Sequence, residues 1–413
     1  MDDETVLTLH HEFEPLASPT VLSVQQTLTL ADLEEIALEH NPTLVTAEAR
    51  VDAARGQWEQ AGLYPNPVIG YHATEVGNLE TAGQQGGFIS QRFITAGKLR
   101  LDQAVASRKI QEASFLFDVQ QQRVLSDVQV RFYDALVAGR RLELTKQLAR
   151  IGDELVAASE KLLKARQISE NNLLQSEIEA EESHVLDDNA RNENVEAWRR
   201  LAAVIGVPMM KVTPLQDDLD QDLPRYTWED CYTMVVKQSP ELAAARARVE
   251  RARASIQRAG REKIPDIDLS VSVRHHNVTG SDVANVQVGI PIPIFDANQG
   301  NVQTAQAEWI AARNDARRIE LDLQDRLAVA FRRYANAHQQ ADRYNSRIQT
   351  RARRSLDLVT DGYQKGQVDY LMLITTQQTF VRVNLAYLDA VREFREAMAV
   401  IEGQLLSDSL SQR

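Results

Sequence analysis

The chain has 413 residues, 25% of them charged, with 59 acidic against 46 basic side chains and a formal net charge of −13 at pH 7. That acidic balance argues against a general nucleic-acid binder, and the single cysteine, Cys231, excludes an intramolecular disulfide and a Cys-based zinc site. No run of about 18 apolar residues occurs, so no transmembrane helix is expected.

Met1-Asp2-Asp3-Glu4 lacks the basic and apolar regions of a secretory leader. Either the protein is cytosolic, or a leader is absent from this sequence. Residues 1–27 are polar and unpatterned, with Pro15 and Pro19, and read as an extended arm. His10 and His11 are adjacent there, a geometry that places them on opposite sides of a strand, so no metal role is expected of them.

Periodic structure begins at Thr29. Thr29 and Asp32 have the spacing of a capping box at the start of a short helix. Asn41-Pro42 ends that helix and opens a second over 43–62. After Gly62 the pattern shortens to a strand over Val68–Thr74, a Gly-rich loop from Gly77 to Gly87, and a second strand from Phe88 to Ile94. A long helix then runs from near Gly97 to about Arg166. It turns at Gln167-Ile168-Ser169 and returns from about Asn171 to Ile205.

Adding 198 to these numbers reproduces the pattern. Thr29, Asp32, Pro42 and Leu44 become Thr227, Asp230, Pro240 and Leu242, and 14 of the 43 positions from Thr29 to Tyr71 are identical. The chain is an internal duplication with a period near 200 residues. Cys231 falls in the short helix of the second copy, as a small buried residue. Arg246, Arg248, Arg251, Arg253, Arg258 and Arg261 follow on the next helix and read as a solvated face, not a phosphate track. In the second hairpin Ile267, Leu269, Val271 and Val273 alternate with Asp268, Ser270, Ser272 and Arg274. A loop from about His275 to Asp282 leads to Val286, Val288, Ile290 and Ile292. No metal role is expected of His275 and His276 in that loop.

Gly300 opens the longest stretch, which carries neither proline nor glycine until Gly362. Apolar or small residues recur every three or four positions from Ile319 through Leu323, Leu327 and Ala330 to Val359 and Tyr363, one stripe on a helix. A helix of roughly 65 residues is on the order of 100 Å long at about 1.5 Å per residue. It ends in a tip from Gly362 to Asp369, and the return helix starts at Tyr370. Gln167, Leu173 and Ala197 match Gln367, Leu373 and Ala397 at an offset of 200, so the two tips are equivalent. The twelve prolines respect this division, with none in 68–207 or 294–413. The expected organisation is an arm over 1–27, repeats over 28–224 and 225–407, and a tail over 408–413.

Four strands cannot close a barrel, and two isolated hairpins leave exposed edges. Three copies would supply about twelve antiparallel strands of 8–10 residues, enough to close a membrane barrel. Apolar side chains would then face lipid while Asp268, Ser270, Ser272 and Arg274 face a water-filled lumen. The competing reading of the strands is a soluble sheet packed on helices.

The chain resembles the TolC-like outer-membrane factors, in their heavy-metal-resistance or lipoprotein-type branch. The resemblance covers about 28–406 and is carried by Leu30-Ala31-Asp32-Leu33 through Asn41-Pro42 and by Gly62-Leu63-Tyr64-Pro65-Asn66-Pro67. Pro291-Ile292-Pro293-Ile294-Phe295-Asp296 leads into Asn298-Gln299-Gly300-Asn301. The last stretch is Tyr363-Gln364-Lys365-Gly366 with Asp369-Tyr370-Leu371 and Leu373. It implies a mainly α fold with a small β part: duplicated long helical hairpins and β-hairpins, trimerising into a 12-stranded outer-membrane β-barrel continued by a periplasmic α-helical tunnel. The implied partners are two further copies, outer-membrane lipid, a periplasmic adaptor (membrane fusion protein) and an inner-membrane efflux pump. The implied role is a passive, gated exit duct, with no enzymatic chemistry, cofactor or resident metal. Lipoprotein members begin with a cysteine that is lacking here, and Arg166 occupies the position of Gly366, so the two tips are not expected to dock an adaptor identically.

On this reading Arg166, Gln167, Ser169, Lys365, Gly366 and Gln367 form the periplasmic tips and adaptor contact. Asp361 and Asp369 are candidate gate residues, a cation-selective ring, with Lys365, Arg166 and Glu170 as ion-pair partners between helices. A merely solvated tip is the plainer alternative, since exposed pairs contribute about 0–1 kcal/mol. Tyr64, Tyr71, Phe88, Phe93 and Phe295 fit aromatic girdles as well as plain packing. Gly97-Lys98 is not a phosphate loop, because Arg92 stands where its first glycine belongs and Leu99 where Ser or Thr is needed. A periplasmic adaptor or coiled-coil scaffold without a pore is the alternative function, though it calls for one hairpin and compact β domains.

Overall fold

A computed structural model describes residues 27–77, 82–216, 219 and 224–411. Most of the arm, with His10 and His11, lies outside them. The first helices are α1 (Leu30–His40) and α2 (Pro42–Ala61), followed by strands β1 (Val68–Thr74) and β2 (Gln84–Phe93). Then come α3 (Lys98–Lys164) and α4 (Glu170–Ile205). The order repeats with α5 (Trp228–Gln238), α6 (Pro240–Arg261), β3 (Ile267–His276) and β4 (Ser281–Gly289). Helix α7 (Gln299–Arg343) passes through a π-helical turn, Tyr344–Gln349, into α8 (Thr350–Gln364), and α9 (Tyr370–Glu402) returns.

Local chemistry explains the starts. Thr29 and Thr227 each close a capping box, with Asp32 and Asp230 accepting from the threonine backbone N–H at 2.9 and 3.2 Å. These hydrogen bonds hold both carboxyl groups below their ordinary pKa. Ser239 caps α6 through Leu242 N at 3.2 Å, ahead of Pro240 at its first turn. Helix α3, at 67 residues, contains no proline and about 100 Å of axial rise.

The described chain groups into two compact units, each drawing on both halves of the sequence. One comprises the chain up to Asn41, Asp127–Leu223 and Ala335–Glu396. There Asn41 is 1% exposed and donates from Nδ2 to Val204 O at 2.6 Å. Leu28 N donates to Pro214 O and Gln216 N donates to Leu28 O, which ties the entry of α1 to the segment after α4. Gly206 has φ 90° and lies against the His40 carbonyl, where a side chain has no room. Helices α3 and α4 are held by small residues: Ser159 and Ser176 hydroxyls meet at 2.9 Å, and a Cβ on Gly152 would stand 2.9 Å from Ala180 Cα.

The second unit comprises Pro42–Ser126, Pro224–Tyr334 and Ala397–Arg413. Its core includes Val124, Cys231, Leu323, Leu327 and Ile401, all fully buried. Burial pushes the Cys231 thiol up to about 11, so it is an inert core residue. The arginine face of α6 is only partly solvated. Arg248 and Arg251 reach Glu112 of α3 at 2.9 and 3.2 Å, and Arg258 reaches Asp102 at 2.7 Å, while Arg246 and Arg253 remain exposed. Those side chains neutralise acids on a neighbouring helix, which an arginine count on one helix cannot reveal.

The strands form one antiparallel sheet in the order β1-β2-β3-β4, not two isolated hairpins, because β2 pairs with β3 along its whole length. Strand β2 starts at Gln84, inside the stretch expected as a Gly-rich loop. Strand β3 includes His275 and His276, which were expected in a loop. Strand β4 ends at Gly289, before Pro291 and Pro293, which have no N–H to give to a ladder. Ile290 and Ile292 therefore lie beyond the sheet.

Candidate functional site

Two regions carry the residues singled out above: the sheet in one unit and the two helical tips in the other. In the sheet, register fixes which side chains share a face. Asp268, Ser270, Ser272 and Arg274 of β3 stand opposite Arg92, Ser90, Phe88 and Gly86 of β2. On the far side they meet Gly289, Gln287, Asn285 and Val283 of β4. This face is polar, and Arg92 Nε donates to Asp268 Oδ1 at 2.8 Å. The opposite face carries Ile69 and Tyr71, Ile89 and Phe93, Leu269, Val271 and Val273, and Val286 and Val288. Most of its apolar residues are uncovered, Ile69 being 79% exposed and Val286 69%, while Leu269 and Val271 of the central strand are half-buried. A soluble sheet does not leave such a face bare.

Phe88 departs from the girdle expectation. Its ring lies on the polar face over Gly70, whose missing side chain makes the space. Tyr71 and Phe93 do lie on the apolar face, and Tyr64 and Phe295, 59% and 90% exposed, sit in the connectors beyond the strands. At the base of the sheet, Lys98 is 2% exposed and donates to Asp266 Oδ1 at 3.0 Å. The same carboxylate oxygen accepts from Thr95 N at 2.9 Å. Sequence reasoning tested Lys98 only as a phosphate ligand; its place is a buried clamp joining the start of α3 to the entry of β3. The nearest signal was an aspartate immediately before the period-two run.

The tips share one backbone design. Arg166 N donates to Leu163 O and Gln167 N to Leu162 O; Gly366 N donates to Tyr363 O and Gln367 N to Gly362 O. Arg166 and Gly366 have φ 57° and 70°, so the first tip holds an arginine in the left-handed region that glycine adopts freely. Arg166, Gln167, Ser169, Lys365, Gly366 and Gln367 are all exposed. The tip charges pair differently from expectation. Lys365 Nζ meets Asp361 Oδ2 at 2.6 Å within one helix end, and Asp369 accepts from Met372 N at 3.1 Å as a cap of α9. Arg166 and Glu170 make no ion pair within the described chain. A helix end satisfies its own charges before distant ones.

A link between the two hairpins went unseen in the sequence. Tyr370 Oη donates to the Glu154 carbonyl of α3 at 3.3 Å, and its ring packs 5.7 Å from that of Tyr363. Burial first, then Tyr363 and Glu154, push the Tyr370 hydroxyl up to about 12, so it remains a donor at any physiological pH. Two tyrosines bracketing a tip were the available hint. Among the described residues no group of three or more His, Cys, Asp or Glu is placed to hold a metal ion. None of the described helices is long and apolar enough to cross a membrane.

Residues 232–402 match the model of the Outer membrane efflux protein family. The chain is 24% identical over 384 residues to the cobalt-zinc-cadmium resistance protein CzcC of Cupriavidus metallidurans, covering 91% of this chain and 89% of that one. It is 26% identical over 333 residues to the nickel and cobalt resistance protein CnrC of the same organism, covering 78% and 75%. Its fold is similar to the outer membrane protein VceC of Vibrio cholerae, with a TM-score of 0.72 at 17% identity, covering 91% and 95%. It is similar also to CusC, with a TM-score of 0.70 at 18% identity, covering 97% and 100%. With one open sheet, two long helical hairpins and these relatives, the chain resembles the outer membrane efflux proteins, the TolC-like outer-membrane factors.

Proposed function

We propose that the protein is the outer-membrane channel of a tripartite efflux system, a passive exit duct for cargo delivered by an inner-membrane pump through a periplasmic adaptor. The observation that carries this reading is the sheet: four strands, an exposed apolar face, a polar face behind it and unpaired edges at β1 and β4. Three copies joined edge to edge close about twelve strands, with the apolar face in lipid and Asp268, Ser270, Ser272 and Arg274 in the lumen. Helix α4 exposes Leu174, Ile178, Val185 and Leu186 along one side, a stripe suited to burial against a neighbouring copy. The duplicated halves, 28–224 and 225–407, then act as two similar building blocks in each copy.

The tips, Arg166 to Ser169 and Lys365 to Gln367, are the proposed adaptor contact, with Asp361 and Asp369 at the gate. The named substrates of the relatives, cobalt, zinc, cadmium and nickel, favour divalent transition-metal ions as cargo. An adaptor or scaffold without a pore is not supported by these relatives. Purified full-length protein should require detergent and give discrete conductance steps in planar bilayers. A compact single-chain particle without conductance overturns the channel. Replacing Asp361 and Asp369 with alanine should raise conductance or weaken cation blockade; no change in either removes them from the gate.

A further inference from the structure

The charges on the polar face of the sheet do not balance. At its base, Arg92 and Asp268 face each other at 2.8 Å and cancel. Arg274 stands six residues further along β3, about 20 Å away at roughly 3.3 Å per residue. Among the described residues no carboxylate forms an ion pair with it. Its partner in register on β2 is Gly86, which has no side chain, and the guanidinium extends past that bare position to Thr74 Oγ1 of β1 at 3.5 Å. Its Nε is buried without an acceptor.

The neighbouring described carboxylates make their contacts elsewhere. His72 lies in the same row on β1, and His276 is one step outward on β3. Glu75, just past β1, accepts from Gln84 Nε2 at 3.4 Å. Asp282 of β4 belongs to the opposite face, where it meets His275 Nδ1 at 2.9 Å. A guanidinium held against a sheet without a counter-ion costs stability and adds no packing that a neutral side chain lacks.

We infer that Arg274 is a specificity-determining residue of the conduit: one guanidinium from each copy forms a ring that attracts multivalent anions. Such a ring concentrates multivalent anions at its level of the lumen, because a fixed charge in a low-dielectric wall acts strongly on ions at close range. The inference rests on the proposed channel, with the polar face of the sheet lining its lumen.

The test is block of full-length channels in planar bilayers by inorganic tripolyphosphate, added to each side in turn. At 0.1 M KCl, where charges act over about 10 Å, Arg274→Gln should raise the half-blocking concentration about tenfold or more, and the gap should shrink at 1 M KCl. Arg274→Lys keeps the charge and should stay within a few-fold of the unmodified channel. Equal block of conducting unmodified and Arg274→Gln channels overturns the ring while leaving the channel intact. Absence of any conductance from the unmodified protein overturns both.

Discussion

Glu396 of α9 and Asp134 of α3 are hydrogen-bonded carboxyl groups, with side chains 19% and 16% exposed. Arg392 lies 3.4 Å from Glu396 and Arg131 2.9 Å from Asp134. Burial first, then Asp134, push the Glu396 carboxyl up to about 7 against Arg392, which pulls it down. A carboxyl raised on folding holds its proton more tightly in the folded state, so stability is greatest below its unfolded pKa and declines as pH rises towards 7. The full decline is at most about 3 kcal/mol. Glu396→Gln should therefore flatten the fall in melting temperature between pH 5 and 8; an unchanged slope refutes the assignment. Other residues were easier to place from sequence alone. Thr29 with Asp32 and Thr227 with Asp230 signal their caps because both partners lie within one turn. Lys98, Tyr370 and Glu396 act on partners far along the chain, and no local pattern marks those pairs.

Between Arg343 and Thr350 the second long helix widens into a π turn whereas α3 stays regular throughout. The sequence holds a trace of it: Tyr344, Ile348, Ala352 and Leu356 are spaced four, four and four, wider than the mixed threes and fours of a regular helix. A stripe counted over the whole helix averages that local slip away. Strand β2 was missed in the opposite direction. Gly83, Gly86 and Gly87 read as a loop because glycine weakens strands, yet a Cβ on Gly86 would fall on the Val273 carbonyl of β3. Close approach between strands selects glycine there. The π turn gives a test at this scale. Deleting Asn345 should remove the extra residue and leave α8 facing α9 as before, with melting temperature little changed. Deleting Asp325, in the regular part of α7, rotates everything after it by about 100° and should prevent folding. Equal damage from both deletions contradicts the single-residue insertion.

For the molecule as a whole, surface chemistry decides what the fold is for. A sheet with bare valines and isoleucines on one side, and serines, an ion pair and an arginine without an ion pair among the described residues on the other, is stable only between an apolar phase and water. Two matched arginine substitutions separate the faces. Val286 of β4 is 69% exposed on the apolar face, and Ser272 of β3 lies on the polar face. A basic side chain facing lipid at the bilayer midplane costs about 2–4 kcal/mol in each strand that carries it. Val286→Arg should therefore prevent insertion into liposomes, with the protein recovered in the aqueous fraction. Ser272→Arg should insert normally and change only conductance and ion preference. If Ser272→Arg blocks insertion while Val286→Arg is tolerated, the faces are reversed and the lumen assignment falls, Arg274 with it.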